Sequence, residues 1–133
     1  MGRRSQMKAR RKELPQLTPD GREVVSKATA RFVRSGPRKL ALVAELIRNK
    51  SVDEALEILQ FTHKPSAVPH VEKILRSAVA NAANVAPDPY DLVIGDIRVE
   101  SGPMMKRIRP ASMGRAVRVR KRLSHIHLTL TNP

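Results

Sequence analysis

Three stretches of the chain repeat apolar residues with the 3.6-residue period of an amphipathic helix. The first follows Pro37, a residue that suits the first turn of a helix. The second begins after Ser51, which forms a capping-box pattern with Glu54 three residues later. The third runs from Pro69 onward. The apolar stripes of these helices predict a shared core that contains Leu40, Val43, Ile47, Leu56, Leu59, Ile74, Leu75 and Val79.

Other stretches have the two-residue alternation or the β-branched composition of strands. In "KATARFVR", the residues Ala28, Ala30 and Phe32 fall on one side, so this stretch predicts a short, half-buried strand. The stretches "LVIGDIRVE" and "HIHLTLT" are short and β-branched, and residues 110–114 between them have turn chemistry. Pairing these two strands gives a long antiparallel hairpin.

One face of the last strand is apolar near the end of the chain and cationic toward the turn. Every second residue of a strand points to the same face, so this face carries Leu130, Leu128, Ile126, Ser124, Arg122, Arg120 and Arg118. Burying three unpaired guanidinium groups would cost many kcal/mol, so we expect the hairpin to leave the domain. At about 3.3 Å per residue it would extend roughly 40 Å from Val99 to Ala111. An isolated two-stranded ribbon is marginal in water, so we expect it to be ordered by what it enters.

Positive charge is concentrated toward the two ends of the sequence. The 133 residues include 26 Lys and Arg but 12 Asp and Glu, for a net charge of +14. Residues 1–12 hold six basic residues and no acidic one, and no acidic residue follows Glu100. Such a chain favours an anionic partner, either nucleic acid or a membrane surface. Because no apolar run reaches 18 residues, we expect no membrane insertion. The sequence contains no cysteine, so it offers no disulfides and no thiolate metal sites.

The types of basic and aromatic residue favour the recognition of folded RNA through its shape and backbone. From Arg98 onward arginine outnumbers lysine seven to two, which suits bidentate phosphate contacts. Two Phe and one Tyr are too few to read single strands by stacking. The predicted RNA-binding residues are Arg34, Arg38, Lys39, Arg98, Lys106, Arg107, Arg109, Arg115, Arg118, Arg120, Lys121 and Arg122. In the tail, the residues predicted to clamp RNA are Arg3, Arg4, Lys8, Arg10, Arg11 and Lys12.

Metal-binding and catalytic chemistry find little support in the sequence. His125 and His127 share a strand face, but no Asp, Glu or Cys nearby in the sequence completes a ligand set. Ser124 and His125 are adjacent on a strand, so their side chains point to opposite faces. No catalytic residue, metal or cofactor is therefore predicted. Two alternatives stay open: an architectural DNA-binding protein whose proline-tipped β-arms wedge into a minor groove, and an RNA-processing enzyme that uses the two histidines.

Three motifs resemble one protein family in their order and spacing. They are "SGPRKLALVAELIRNK", "SAVANAANV" and "GPMMKRIRPASMGRAVRVRKRLSHI", and the family is the bacterial form of large ribosomal subunit protein twenty-two. The resemblance covers about residues 27–131. It implies an α+β fold of three helices packed on a small three-stranded antiparallel sheet, with a long protruding β-hairpin arm at residues 99–122. Residues 27–133 would form this single RNA-binding domain, preceded by a basic extension and linker at residues 1–26.

The resemblance also implies a function, a location and partners. The protein would be a non-enzymatic, structural constituent of the large subunit in a cytoplasmic ribosome of bacterial type. It would bind large-subunit ribosomal RNA (rRNA), support assembly by joining rRNA domains, and contact neighbouring large-subunit proteins. Its hairpin tip would help to line the nascent-peptide exit tunnel, beside the nascent peptide and close to where macrolide antibiotics bind. The implied tip residues are Met105, Lys106, Arg107, Ile108, Arg109, Pro110, Ala111, Ser112, Met113 and Gly114, and the chain departs from the family at Ala111 and Met113, where basic residues are common.

Overall fold

The computed structural model describes residues 16–133. Its elements are β1 Val24–Val33, α1 Pro37–Ile47, α2 Val52–Phe61, α3 Val68–Ala82, β2 Val93–Pro110 and β3 Ala116–Thr131, with a 3-10 turn at Ser112–Gly114. The strands form one antiparallel sheet in the order β1-β3-β2. The predicted α+β architecture of three helices and three strands is thus confirmed. The tail residues predicted to clamp RNA, namely Arg3, Arg4, Lys8, Arg10, Arg11 and Lys12, lie outside the described residues.

The helices begin where the sequence signals place them. Pro37 is the first residue of α1, and Pro69 lies in the first turn of α3. Ser51 caps α2, because its hydroxyl accepts the Glu54 N–H at 3.3 Å. Between residues 16 and 133, no helix is both long and apolar enough to span a membrane.

The core lies between the three helices and one face of the sheet. α3 packs across β1 and β3, and α1 packs against β2. Seven of the eight predicted helical core residues are buried, whereas Leu56 is only partly buried and packs against the core from its edge. The sheet supplies Ile94, Ile97, Ile126, Leu128 and Leu130 to the same core.

The central strand β3 is continuous, whereas the extra residues that shift the register lie in the two outer strands. One shift falls between Ala30 and Val33 of β1. There Phe32 has a φ of 56° and is 59% exposed, although the alternation predicts it on the same side as Ala28. The extra residue reverses the parity of the strand, so Val33 takes the buried position instead.

β2 and β3 continue beyond β1 as a two-stranded ribbon. The last pairing of β1 joins Val33 to Ser124, whereas β2 remains paired with β3 as far as Pro110. We call residues 104–122 the ribbon. Residue 99, the predicted start of the arm, is still in the three-stranded part of the sheet, so the free ribbon extends about 20–25 Å and not the roughly 40 Å expected.

Candidate nucleic-acid interface

Cross-strand pairing in the ribbon places most cations opposite apolar residues. Lys106 and Arg120 are the exception, since they lie directly opposite one another. An arginine or lysine stem can cover an apolar neighbour while its charged end stays in water, so these pairs stabilise the ribbon without neutralising it. The cation–apolar pairs are Arg122 with Met104, Lys121 with Met105, Arg107 with Val119, Arg118 with Ile108, and Arg109 with Val117.

The ribbon is positive on both of its faces. Because side chains alternate along a strand and opposite residues share a face, the register divides the charges into two sets. One face carries Lys106, Arg118, Arg120 and Arg122, and the other carries Arg107, Arg109 and Lys121. All of these residues are exposed, and no acidic residue occurs within the ribbon. This arrangement suits contact with a polyanion on both sides.

The tip is a tight turn that exposes apolar side chains. The Ala111 N–H donates to the Arg115 carbonyl at 2.8 Å, which closes the turn. Met113 and Gly114 adopt φ values of 59° and 67°, a conformation that is uncommon for methionine. Met113 and Ile108 are 91% and 75% exposed. The turn therefore lies where its residues predict it, and Met113 presents an exposed apolar side chain at the end of the ribbon.

A cleft of about 390 Å³ lies where the ribbon leaves the domain. It brings together predicted RNA-binding residues that are far apart in the sequence, from the β1–α1 segment and from β3. No acidic residue of the described chain lines it. We call it the base cleft, and its lining residues are Arg34, Ser35, Gly36, Lys39, Ser66, Arg120, Lys121, Arg122 and Leu123.

Two of the predicted RNA-binding residues lie outside the ribbon and the base cleft. Arg38 is exposed on α1 but does not line the cleft. Arg98 lies in the three-stranded part of the sheet, and its Nε is 2.8 Å from Asp96 Oδ2. This ion pair reduces the positive charge that Arg98 presents, and an RNA contact by either arginine stays a prediction.

Polar contacts next to the ribbon join residues whose pairing no sequence pattern indicated. The Ser124 hydroxyl donates to the Ser35 carbonyl at 2.6 Å. His125 Nδ1 accepts the Phe32 N–H at 3.1 Å and so holds the bulge of β1. The partners in each pair are 89 and 93 positions apart, so no local pattern indicates that they meet. Within residues 16–133, no group of three or more His, Cys, Asp or Glu is placed to hold a metal ion.

Comparison with known proteins identifies a family for almost all of the described chain. The family model for ribosomal protein L22p/L17e matches residues 28–131. Two relatives named large ribosomal subunit protein uL22, from Desulfitobacterium hafniense strains Y51 and DSM 10664 / DCB-2, are each 53% identical over 102 residues. Each alignment covers 76% of this chain and 89% of the relative. The matched residues include the base cleft and the whole ribbon, and the chain therefore belongs to the ribosomal protein L22p/L17e family.

Proposed function

We propose that this chain is a structural constituent of the large subunit of a cytoplasmic, bacterial-type ribosome, where it binds large-subunit rRNA and has no enzymatic role. The observation that carries the proposal is the ribbon, which projects from the sheet and is positive on both faces. A solvated surface normally mixes both signs of charge, whereas no acidic residue follows Glu100. The family match supports the ribosome as the setting.

Counterion release from RNA phosphates supplies most of the affinity in this proposal. Eight Lys and Arg residues lie within the ribbon: Lys106, Arg107, Arg109, Arg115, Arg118, Arg120, Lys121 and Arg122. Each phosphate neutralised contributes about 0.7–0.9 to the slope of log K against log salt. A ribbon that uses all eight cations would therefore give a slope of about −6 to −7.

The tip, residues 105–114, enters the wall of the nascent-peptide exit tunnel in this proposal. Exposed Ile108 and Met113 support it, because apolar side chains at the end of a cationic ribbon suit contact with bases or with a passing peptide. Cations along both faces of the ribbon can hold RNA from separate rRNA domains, which gives the protein a role in assembly. The nascent peptide, neighbouring large-subunit proteins and macrolide antibiotics bound near the tip are the further partners proposed.

The test measures binding to a large-subunit rRNA transcript over a range of salt concentrations. The test variant changes three arginines on one ribbon face to glutamine, namely Arg118, Arg120 and Arg122. The control variant removes the same charge from exposed residues at or near α3, namely Lys64, Lys73 and Arg76. We expect the slope to fall by about 2–3 in the test variant and to stay close to the wild-type value in the control.

Equal slopes in the two variants would contradict the ribbon as the RNA contact. Competition with duplex DNA examines the architectural alternative in the same assay. Displacement of the rRNA by duplex DNA at comparable concentration would favour a DNA-binding protein over a ribosomal one.

A further inference from the structure

The base cleft contains the N-terminus of α1 without a side-chain cap. The N-cap residue Gly36 offers no side chain, and Pro37 has no N–H. Lys39, in the first turn of the helix, lines the cleft and has a backbone N–H without an intrahelical partner. The next N–H, of Leu40, donates to the Gly36 carbonyl at 3.3 Å. A Cβ placed on Gly36 would meet no atom within 4 Å, so this helix terminus is open to a ligand.

A buried hydroxyl beside this terminus also lacks a partner. Ser35 lines the base cleft and is 7% exposed, and its Oγ makes no hydrogen bond with any residue in the range 16–133. The Ser35 carbonyl, in contrast, accepts the Ser124 hydroxyl at 2.6 Å, which fixes this segment against β3. Leaving a buried hydroxyl unpaired is unfavourable, so its position points to a ligand that completes the hydrogen bond.

Basic residues line the same cleft as these donors. Arg34 and Lys39 line it from the β1–α1 side, and Arg120, Lys121 and Arg122 line it from β3. Arg120 and Arg122 share one face of the ribbon, whereas Lys121 belongs to the other face. None of the described acidic residues lines the cleft. Helix N–H groups, a hydroxyl and guanidinium groups together are typical of a phosphate site.

We infer that the base cleft binds one phosphodiester group of the RNA backbone, held by the Ser35 hydroxyl, the N–H group of Lys39 and the cations that line the cleft. This inference rests on the proposed function for the source of the phosphate. It differs from the general attraction of the ribbon for RNA, because directed donors select one phosphate at one position. A phosphate fixed there sets the register of the RNA where the ribbon begins.

The first test is Ser35→Ala, which leaves the charge unchanged. Because the hydroxyl has no partner within the described protein, the free variant should unfold at the wild-type temperature or above it. Its affinity for the large-subunit rRNA transcript should fall about tenfold, the loss expected for a hydrogen bond to a charged group, while the salt slope stays unchanged. Ser77→Ala, at an exposed serine on α3, is the matched control and should bind as the wild type does.

A second variant, Gly36→Asp, occupies the helix N–H groups with its own carboxylate. Gly36 has φ −65° and ψ 141°, which an N-cap aspartate can adopt, so this variant should be more stable than the wild type. Its affinity for the transcript should fall by more than tenfold, because the carboxylate both competes for the donors and repels phosphate. A stabilising change that weakens binding cannot be explained by damage to the fold.

Inorganic phosphate gives a test that does not depend on RNA. In ¹⁵N-labelled full-length protein, phosphate at constant ionic strength should shift the amide signals of Ser35 and Lys39, which line the cleft, and Gly36→Asp should abolish the shift. Unmoved amides, or wild-type affinity for the transcript in both Ser35→Ala and Gly36→Asp, would overturn the inference. If phosphate shifts these amides while the wild-type protein shows no salt-dependent binding to the transcript, the phosphate site stands and the proposed function fails.

Discussion

Removal of the ribbon should leave the domain folded, because the ribbon contributes nothing to the core. Replacing residues 105–121 with an Asn-Gly turn joins Met104 to Arg122, which already lie opposite one another. No residue of the core cluster falls within the deleted segment, where Met105 and Val119 are half-buried and all other residues are exposed. The deletion also removes seven cations and no acidic residue, which lowers the net charge from +14 to +7.

The expected change in the free energy of unfolding is small. The two half-buried side chains contribute about 1–2 kcal/mol of burial at most, and the loss of charge repulsion acts in the opposite direction. The net change should therefore stay within about 1 kcal/mol. Ile97→Ala is the control, since Ile97 is fully buried in the core and its truncation should cost about 2–5 kcal/mol.

Urea unfolding followed by far-ultraviolet circular dichroism, without nucleic acid and at two salt concentrations, measures these differences. We expect a cooperative transition in the deletion variant, with a midpoint close to that of the wild type and well above that of Ile97→Ala. A loss as large as that of Ile97→Ala, or a transition without cooperativity, would refute the separation of domain and ribbon.

Two further predictions concern single contacts. Lys106→Glu turns the like-charge pair with Arg120 into a cross-strand ion pair, so amide hydrogen exchange in the ribbon should slow by an amount equivalent to about 0.2–1 kcal/mol, while rRNA binding becomes weaker than in Lys106→Gln. Equal rRNA binding by the two variants would count against direct phosphate contact at this position. Gly95→Ala would place a methyl group 2.4 Å from the Thr131 Cγ2, so we expect a loss of about 1–3 kcal/mol in urea unfolding. Thr131→Ala in the same chain should recover most of that loss, and additive losses would exclude this contact as the cause.

Local sequence signals predict the helices of this protein well. The apolar period, the early prolines and the Ser51–Glu54 capping box each depend on residues within one or two helical turns, and the structure contains each helix accordingly. The alternation in β3 is equally informative, because β3 is the strand without an inserted residue. Arg118, Arg120 and Arg122 share a face with Ile126, and they are exposed while Ile126 is buried, as expected if the hairpin leaves the domain.

Features that depend on distant residues could not be predicted in this way. The bulge that turns Phe32 outward depends on its hydrogen bond with His125, and no periodicity in "KATARFVR" indicates an extra residue. The ribbon starts where β1 stops pairing with β3. The sequence of the hairpin itself does not indicate that position. The base cleft is lined by Arg34 and Arg122, which are far apart in the sequence, and by Ser35. The Ser35 hydroxyl is unpaired because of how the surrounding residues pack, which the sequence does not indicate.

If the ribbon binds RNA as proposed, its register links its stability to that binding. Cations opposite apolar residues allow the strands to pair without any acidic partner, but the charges remain close together and repel one another, most directly at Lys106 and Arg120. A hairpin without further support is marginal in water, so this repulsion is a substantial fraction of the free energy available to keep the ribbon formed. Phosphates along both faces would remove the repulsion while leaving the apolar contacts intact. Binding of RNA should therefore stabilise the ribbon far more than the domain, since the core of the domain holds none of these charges.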